Sequence, residues 1–197
     1  MRIPTKETCF KIMRQMNMPD HIVAHCLQVS RVAAVITDLL AQQRIYLNRD
    51  LILASAMLHD ITKSRSLMTG ENHASTGAEL MAELGYPEIG KIILQHVQLQ
   101  NYSDNVAPQE EEIVNYSDKR VIHDSIASLE ERCNYILERY GTVPIRRKLI
   151  NQMFSEARVL EKRLFRLLPI AAEELALLIV PPDCNAELEA YRKTANS

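Results

Sequence analysis

Glycine is scarce in this chain, with five in 197 residues. Strand-like alternation of apolar and polar residues is equally hard to find, so neither signal of a sheet-based fold is present. The four cysteines, Cys9, Cys26, Cys133 and Cys184, include no CxxC pair. That argues against a disulfide framework and against a zinc ribbon, and free thiols in a reducing cytoplasm are expected. The first residues, Met1 to Glu7, lack the apolar stretch of a signal peptide. No segment approaches the roughly eighteen apolar residues needed to span a bilayer, so a cytoplasmic protein with no membrane partner is expected. Charge of one sign is lacking too. The formal net charge is -2, which gives no global attraction to nucleic acid, and no nucleic-acid partner is expected.

What the chain does have is helical spacing. Hydrophobic residues make up 47% and charged residues 24%, an ordinary globular composition for one domain over residues 1–197. Ile22, Cys26, Val29, Ala33, Ile36 and Leu40 recur at steps of three and four, which predicts one buried helical stripe with His25 beside it. Asp50 is a candidate cap for a helix ending at His59-Asp60, and a loop is expected from about Ile61 to Glu71. Asn72 is a candidate N-cap that places His73 in a first turn. Gly85 should stop that helix and Pro87 start the next, where Ile89, Ile92, Ile93 and His96 share a face. After a polar loop from Val97 to Ala107, Pro108 and Glu110-Glu111-Glu112 suit another helix start. In that helix Val114, Asp118 and Val121 are expected on one face. Further helices are expected from about Ser125 to Tyr140, from Pro144 with an apolar face through Ile145, Leu149, Met153, Ala157, Leu160 and Leu164, and from about Ala171 to Leu178. The polar last dozen residues are expected to fray. The predicted fold is an all-α helical bundle.

His59-Asp60 closes the apolar run Leu51 to Leu58, so the pair should be carried inside. A buried His beside a buried Asp is costly unless something pairs with both, and a divalent cation would do so. Further candidate ligands follow along the chain: His25, His73, His96 and Asp118. Each alone is weak evidence. Together they sit on successive helical segments, and a bundle can converge such side chains on one interior point. Four histidines and two aspartates suit one or two transition ions, Mn, Fe, Co, Ni or Zn, better than Ca or Mg.

At these residues the chain resembles the HD-domain metal-dependent phosphohydrolases. The match runs through His25 to Ala33, then Met57-Leu58-His59-Asp60-Ile61-Thr62-Lys63, then Tyr116-Ser117-Asp118-Lys119-Arg120, and covers about residues 21–136. Thr62 stands where the family usually has glycine. A C-terminal extension of about residues 144–190 lies outside the resemblance. His73 and His96 resemble the extra histidines of the family's dinuclear branch. The resemblance implies a first metal on His25, His59, Asp60 and Asp118, a second on His73 and His96, and Asp60 as the bridge. It also implies a small phosphorylated substrate such as a nucleotide. Gly85-Tyr86-Pro87 precedes His96, so it is read as a helix stop and restart rather than as the signature of cyclic-dinucleotide phosphodiesterases. Two other readings remain open at this point: a nucleotide-binding regulatory module without turnover, and a di-iron oxygenase of HD-like fold.

Among other residues, Lys63 lies three after Asp60 and is placed with it in catalysis and phosphate binding. Arg120, following Asp118 and Lys119, is a candidate for substrate binding. Tyr102, in the polar loop, is a candidate to stack on the substrate. His21 reads as an exposed helix-start residue and Cys26 as packing. His123-Asp124 is a minor candidate for a supporting role. The basic residues between Arg146 and Arg166, Arg163 included, read as the solvated face of the long helix.

Overall fold

The computed structural model describes residues 1–100, 107–179 and 184–194. Its helices are α1 (Lys6–Gln15), α2 (Asp20–Gln42), α3 (Arg49–Leu58), α4 (Lys63–Thr69), α5 (His73–Glu83), α6 (Pro87–Gln95), α7 (Glu110–Lys119), α8 (Leu129–Tyr140), α9 (Pro144–Phe165), α10 (Leu175–Leu178) and α11 (Cys184–Lys193). A single turn of tighter helix, Ala172–Glu174, precedes α10. The all-α expectation holds, with one small addition. Strands β1 (Val121–Ile122) and β2 (Ser125–Ile126) form an antiparallel hairpin between α7 and α8.

The predicted stripe of α2 is all buried, and it packs against α3 and α7 at the centre of the bundle. By length and composition α2 could cross a membrane, the one described helix of which this is true. That corrects the expectation that nothing approaches such a span; here its apolar side chains are turned into the core.

Several boundaries follow the sequence signals. The Asn72 side chain accepts from the amides of Ala74 and Ser75 and opens α5 at His73. Gly85 takes a left-handed turn at φ 83°, and Pro87 occupies the first position of α6. Others differ. Asn48, not Asp50, caps α3, accepting from the Leu51 amide. The expected loop after Asp60 contains α4, a short helix with no buried residue. Val121 leaves α7 for the hairpin, and α8 begins at Leu129 behind a Ser128 cap. The C-terminal residues do not simply fray: Tyr191 on α11 is fully buried, stacks at 5.9 Å on Phe10, and donates its hydroxyl to the Met18 carbonyl at 2.6 Å.

Two packing features position the site. Gly90 on α6 lies so close to α5 that a Cβ there would meet the Ala78 carbonyl oxygen at 2.7 Å. This close crossing brings the start of α5, with His73, beside the end of α6, with His96. On the other side, Glu112 of α7 pairs with Arg163 of α9, both buried. Arg163 is therefore not part of a solvated face: the helix turns it inward, where Glu112 compensates its charge. Buried residues of α1 to α3, of α5 to α7 and of α8 to α11 belong to one contiguous core.

Candidate metal centre

Six side chains from five places in the chain meet at one point. His25 comes from the second turn of α2, and His59 and Asp60 from the end of α3. His73 opens α5, His96 closes α6, and Asp118 sits near the end of α7. His59, Asp60 and His96 are buried, and the Asp118 side chain is only 15% exposed. All six ligands expected from the sequence are thus brought together.

The hydrogen bonds fix which ring nitrogen faces inward. His25 Nδ1 lies 2.9 Å from the His123 carbonyl, His59 Nδ1 2.7 Å from the Ala56 carbonyl, and His96 Nδ1 2.6 Å from the Ile93 carbonyl. A carbonyl only accepts, so each Nδ1 carries a proton, and whenever the ring is neutral its Nε2 presents a lone pair. Each of these Nε2 atoms, and that of His73, faces a carboxylate or another imidazole. His25 Nε2 is 3.0 Å from Asp118 Oδ1, His73 Nε2 is 3.3 Å from Asp60 Oδ1, and His73 and His96 Nε2 atoms are 3.0 Å apart. His59 Nε2 lies 3.5 Å from Asp60 Oδ2 and 3.6 Å from Asp118 Oδ1. Converging acceptors repel unless a proton or a cation lies among them.

Burial lowers the pKa of His25, His96 and His73, the last to about 4, so these rings are neutral near pH 7. His59 differs. Burial again opposes its charge, but Asp60 and Asp118 outweigh burial and hold its pKa well above the usual value. Burial likewise opposes charge on Asp60 and Asp118. Lys63 and His59 outweigh it at Asp60, and the adjoining His25 and His59 rings and Arg132 outweigh it at Asp118, so both stay ionised. The centre of the cluster therefore favours positive charge of any kind.

The fit to metal ions can be tested on two atoms. His59 Nε2 and Asp60 Oδ1 are buried with no hydrogen-bond partner, a costly state for polar atoms in the interior. Both lie inside groups with metal-ligand spacing: His25, His59 and Asp118 form one, and His59, Asp60 and His96 another. His73 adjoins the second group through Asp60 and His96. The donor set, imidazole and carboxylate, is that of a divalent transition ion, and the residues fit.

The surroundings are cationic. Lys63 Nζ contacts Asp60 Oδ2 at 2.7 Å. Arg132 of α8, missed in the sequence, approaches Asp118 Oδ1 at 3.4 Å. Thr62, in place of the usual glycine, needs no left-handed backbone, with φ -107°. Its hydroxyl donates to the His73 carbonyl at 2.8 Å, tying the start of α5 to the His-Asp turn. His123 also supports the site, through its main chain: its carbonyl orients His25.

Arg120 does not reach the centre. Its Nε donates to the Ala127 carbonyl at 2.7 Å, its Nη2 to the Ala172 carbonyl at 3.0 Å, and its Nη1 to Tyr116 and Glu161. It braces the hairpin against α7 and α9, because the chain turns out of α7 at this residue. Lys119 is buried, and its ammonium is spent on the carbonyls of His96, Val97 and Asn115 and on the Asn115 side chain. Tyr102 lies outside the described residues.

Two cavities open onto the cluster. One of about 140 Å³ is lined by His21, His25, Asp60, His123, Tyr135 and Arg139 among others. The other, about 420 Å³, reaches His73, His96 and Asp118 at one end and α9 at the other. Lys63, Leu67, Arg132, Ile136 and Tyr140 line both. A separate cavity of about 440 Å³ borders α1, α2 and α3 and includes none of the six ligands.

A helical bundle that gathers histidines and aspartates around its His-Asp turn is the arrangement of a candidate metal centre. The HD domain family model matches residues 22–123, just over half of the chain, and the chain belongs to that family, whose members are typically metal-dependent hydrolases. An uncharacterized protein of Methanocaldococcus jannaschii is 33% identical over 69 residues, 35% of this chain and 40% of that protein. The crystal structure of a predicted HD superfamily hydrolase from an uncultured Thermotogales bacterium aligns with a TM-score of 0.48 and 20% identity, over 84% of this chain and 94% of that one.

Proposed function

We propose that this protein is a single-domain cytoplasmic phosphohydrolase with a dinuclear site, cleaving a phosphoester or phosphoanhydride in a nucleotide or another small phosphorylated metabolite. The observation that carries the reading is the pair of orphaned buried atoms, His59 Nε2 and Asp60 Oδ1. His25, His59, Asp60 and Asp118 would hold one ion, and His73, His96 and Asp60 a second. Asp60 suits a bridge because its oxygens face different neighbours, Oδ2 towards His59 and Oδ1 towards His73 and His96. When bound, such ions activate water and stabilise charge on phosphoryl oxygens.

The protein's own groups do the rest. The three Nδ1 bonds to main-chain carbonyls lock the rings with Nε2 inward, so little reorganisation is needed to bind cations. Lys63 and Arg132 put two positive charges where both cavities meet the cluster, which attracts a phosphate and favours negative charge developing on it. The depth of His59 and Asp60 limits bulk water around these charges and strengthens their fields.

The test is metal analysis joined to a panel of phosphoesters and phosphoanhydrides, with Mn, Fe, Co and Ni added singly. Phosphate release that follows metal loading and disappears with the metal in Asp60→Ala is expected. Oxygen uptake with reduced iron, and no phosphate release under any loading, would replace hydrolysis with oxygenation.

A further inference from the structure

The larger cavity changes character along its length. At the cluster end it carries Lys63 and Arg132 beside the carboxylates. Away from the ligands it is lined by Leu149, Ile150, Met153 and Phe154 of α9, while Leu67 and Ile136 line both it and the smaller cavity. No cation on α9 lines this end, although the helix carries many. Lys119, the other ammonium in the lining, has four acceptors within the protein. A second phosphate placed towards α9 would therefore lose water and gain no positive partner.

The apolar end is also incompletely covered. Leu67 is 66% exposed and Leu149 is 55% exposed, while Phe154 behind them is buried. The volume, about 420 Å³, lies within the usual range for small-molecule sites, roughly 300–1,000 Å³. Because this surface continues directly into the ligand cluster, the occupant that both ends fit is one molecule, anionic at the cluster and apolar at α9.

Resting on the phosphohydrolase reading, we propose that the substrate is a phosphate ester of an aliphatic or aromatic group, and that the N-terminal half of α9 selects it through Leu149, Ile150 and Met153. In this reading α9 is a specificity element rather than a docking face for another protein. Its apolar residues are split accordingly. Ala157, Leu160 and Leu164 are buried in the core, whereas Leu149 and its neighbours border the cavity.

The test uses non-hydrolysable probes on the metal-loaded full chain: methyl-, butyl- and phenylphosphonate, with affinities measured by calorimetry. Phenylphosphonate is expected to bind about tenfold or more tighter than methylphosphonate, in line with the apolar area removed from water. In Leu149→Asp the ratio should fall to within about twofold, and Leu149→Met should restore it. Leu149 is exposed enough for both variants to fold, and melting curves check this. Equal affinities in the wild type, or an undiminished ratio in Leu149→Asp, would overturn the apolar lobe while leaving phosphate binding in place. Absence of binding by all three phosphonates would overturn the phosphate reading as well.

Discussion

Residues 22–123 and the helices that follow them build one cavity in different ways. Every candidate metal ligand, from His25 to Asp118, lies in the family-matched segment. The later helices supply no ligand among the described residues; they supply Arg132, the apolar wall on α9 and the clasp of α11 on α1 and α2. Chemistry and selection can thus sit on different parts of one contiguous core. A His or Asp at the centre is fixed by its neighbours in the cluster, whereas a wall residue such as Leu149 borders the cavity at one side and can vary in size without disturbing those six side chains.

That contrast can be broken at its seam. Glu112 on α7 and Arg163 on α9 join the two parts. Glu112→Gln removes the charge but keeps an oxygen for the Gln109 amide, which the Glu112 side chain caps at 2.9 Å. It removes the buried countercharge that Arg163 faces on α7, and a loss of about 3–5 kcal/mol in urea unfolding is expected. Hydrogen exchange should show α2 and α9 opening together. Weakened protection confined to α9 through α11 would mean that the two parts are separate cooperative units.

A smaller effect tests the matched segment alone. Gly90→Ala pushes α6 off the Ala78 carbonyl and so separates His96 from His73. A stability loss of about 1–3 kcal/mol is expected, with weakened binding of the second ion. The phenyl-to-methyl phosphonate ratio should hold, since neither Gly90 nor Ala78 lines the larger cavity. A changed ratio with unchanged metal content would reverse the division of labour.

Much of the centre was legible in the sequence because its signals are local. The Asn72 cap, the Gly85 and Pro87 punctuation and the α2 stripe each depend on a few neighbouring residues, and together they place three of the ligands, His73, His96 and His25. The failures have physical causes. Helix α4 is seven residues with no buried side chain, so it has no apolar periodicity to read. The hairpin has two residues per strand, too few for alternation. Arg120 follows Asp118 by two positions, but the turn out of α7 sends its guanidinium away from the site. Arg132 and Arg163 are charged residues on otherwise ordinary amphipathic helices, and only tertiary contact with Asp118 and Glu112 distinguishes them from surface arginines.

The central claim is that the orphaned acceptors form a shared site for two ions, with Asp60 between them. Metal stoichiometry tests it most directly. Ion-free protein titrated with Mn or Co and analysed for bound metal should take up two ions per chain, His73→Ala should take up one, and Asp60→Ala none. A wild-type chain that binds no ion, or a His73→Ala variant that binds as many as the wild type, would contradict it.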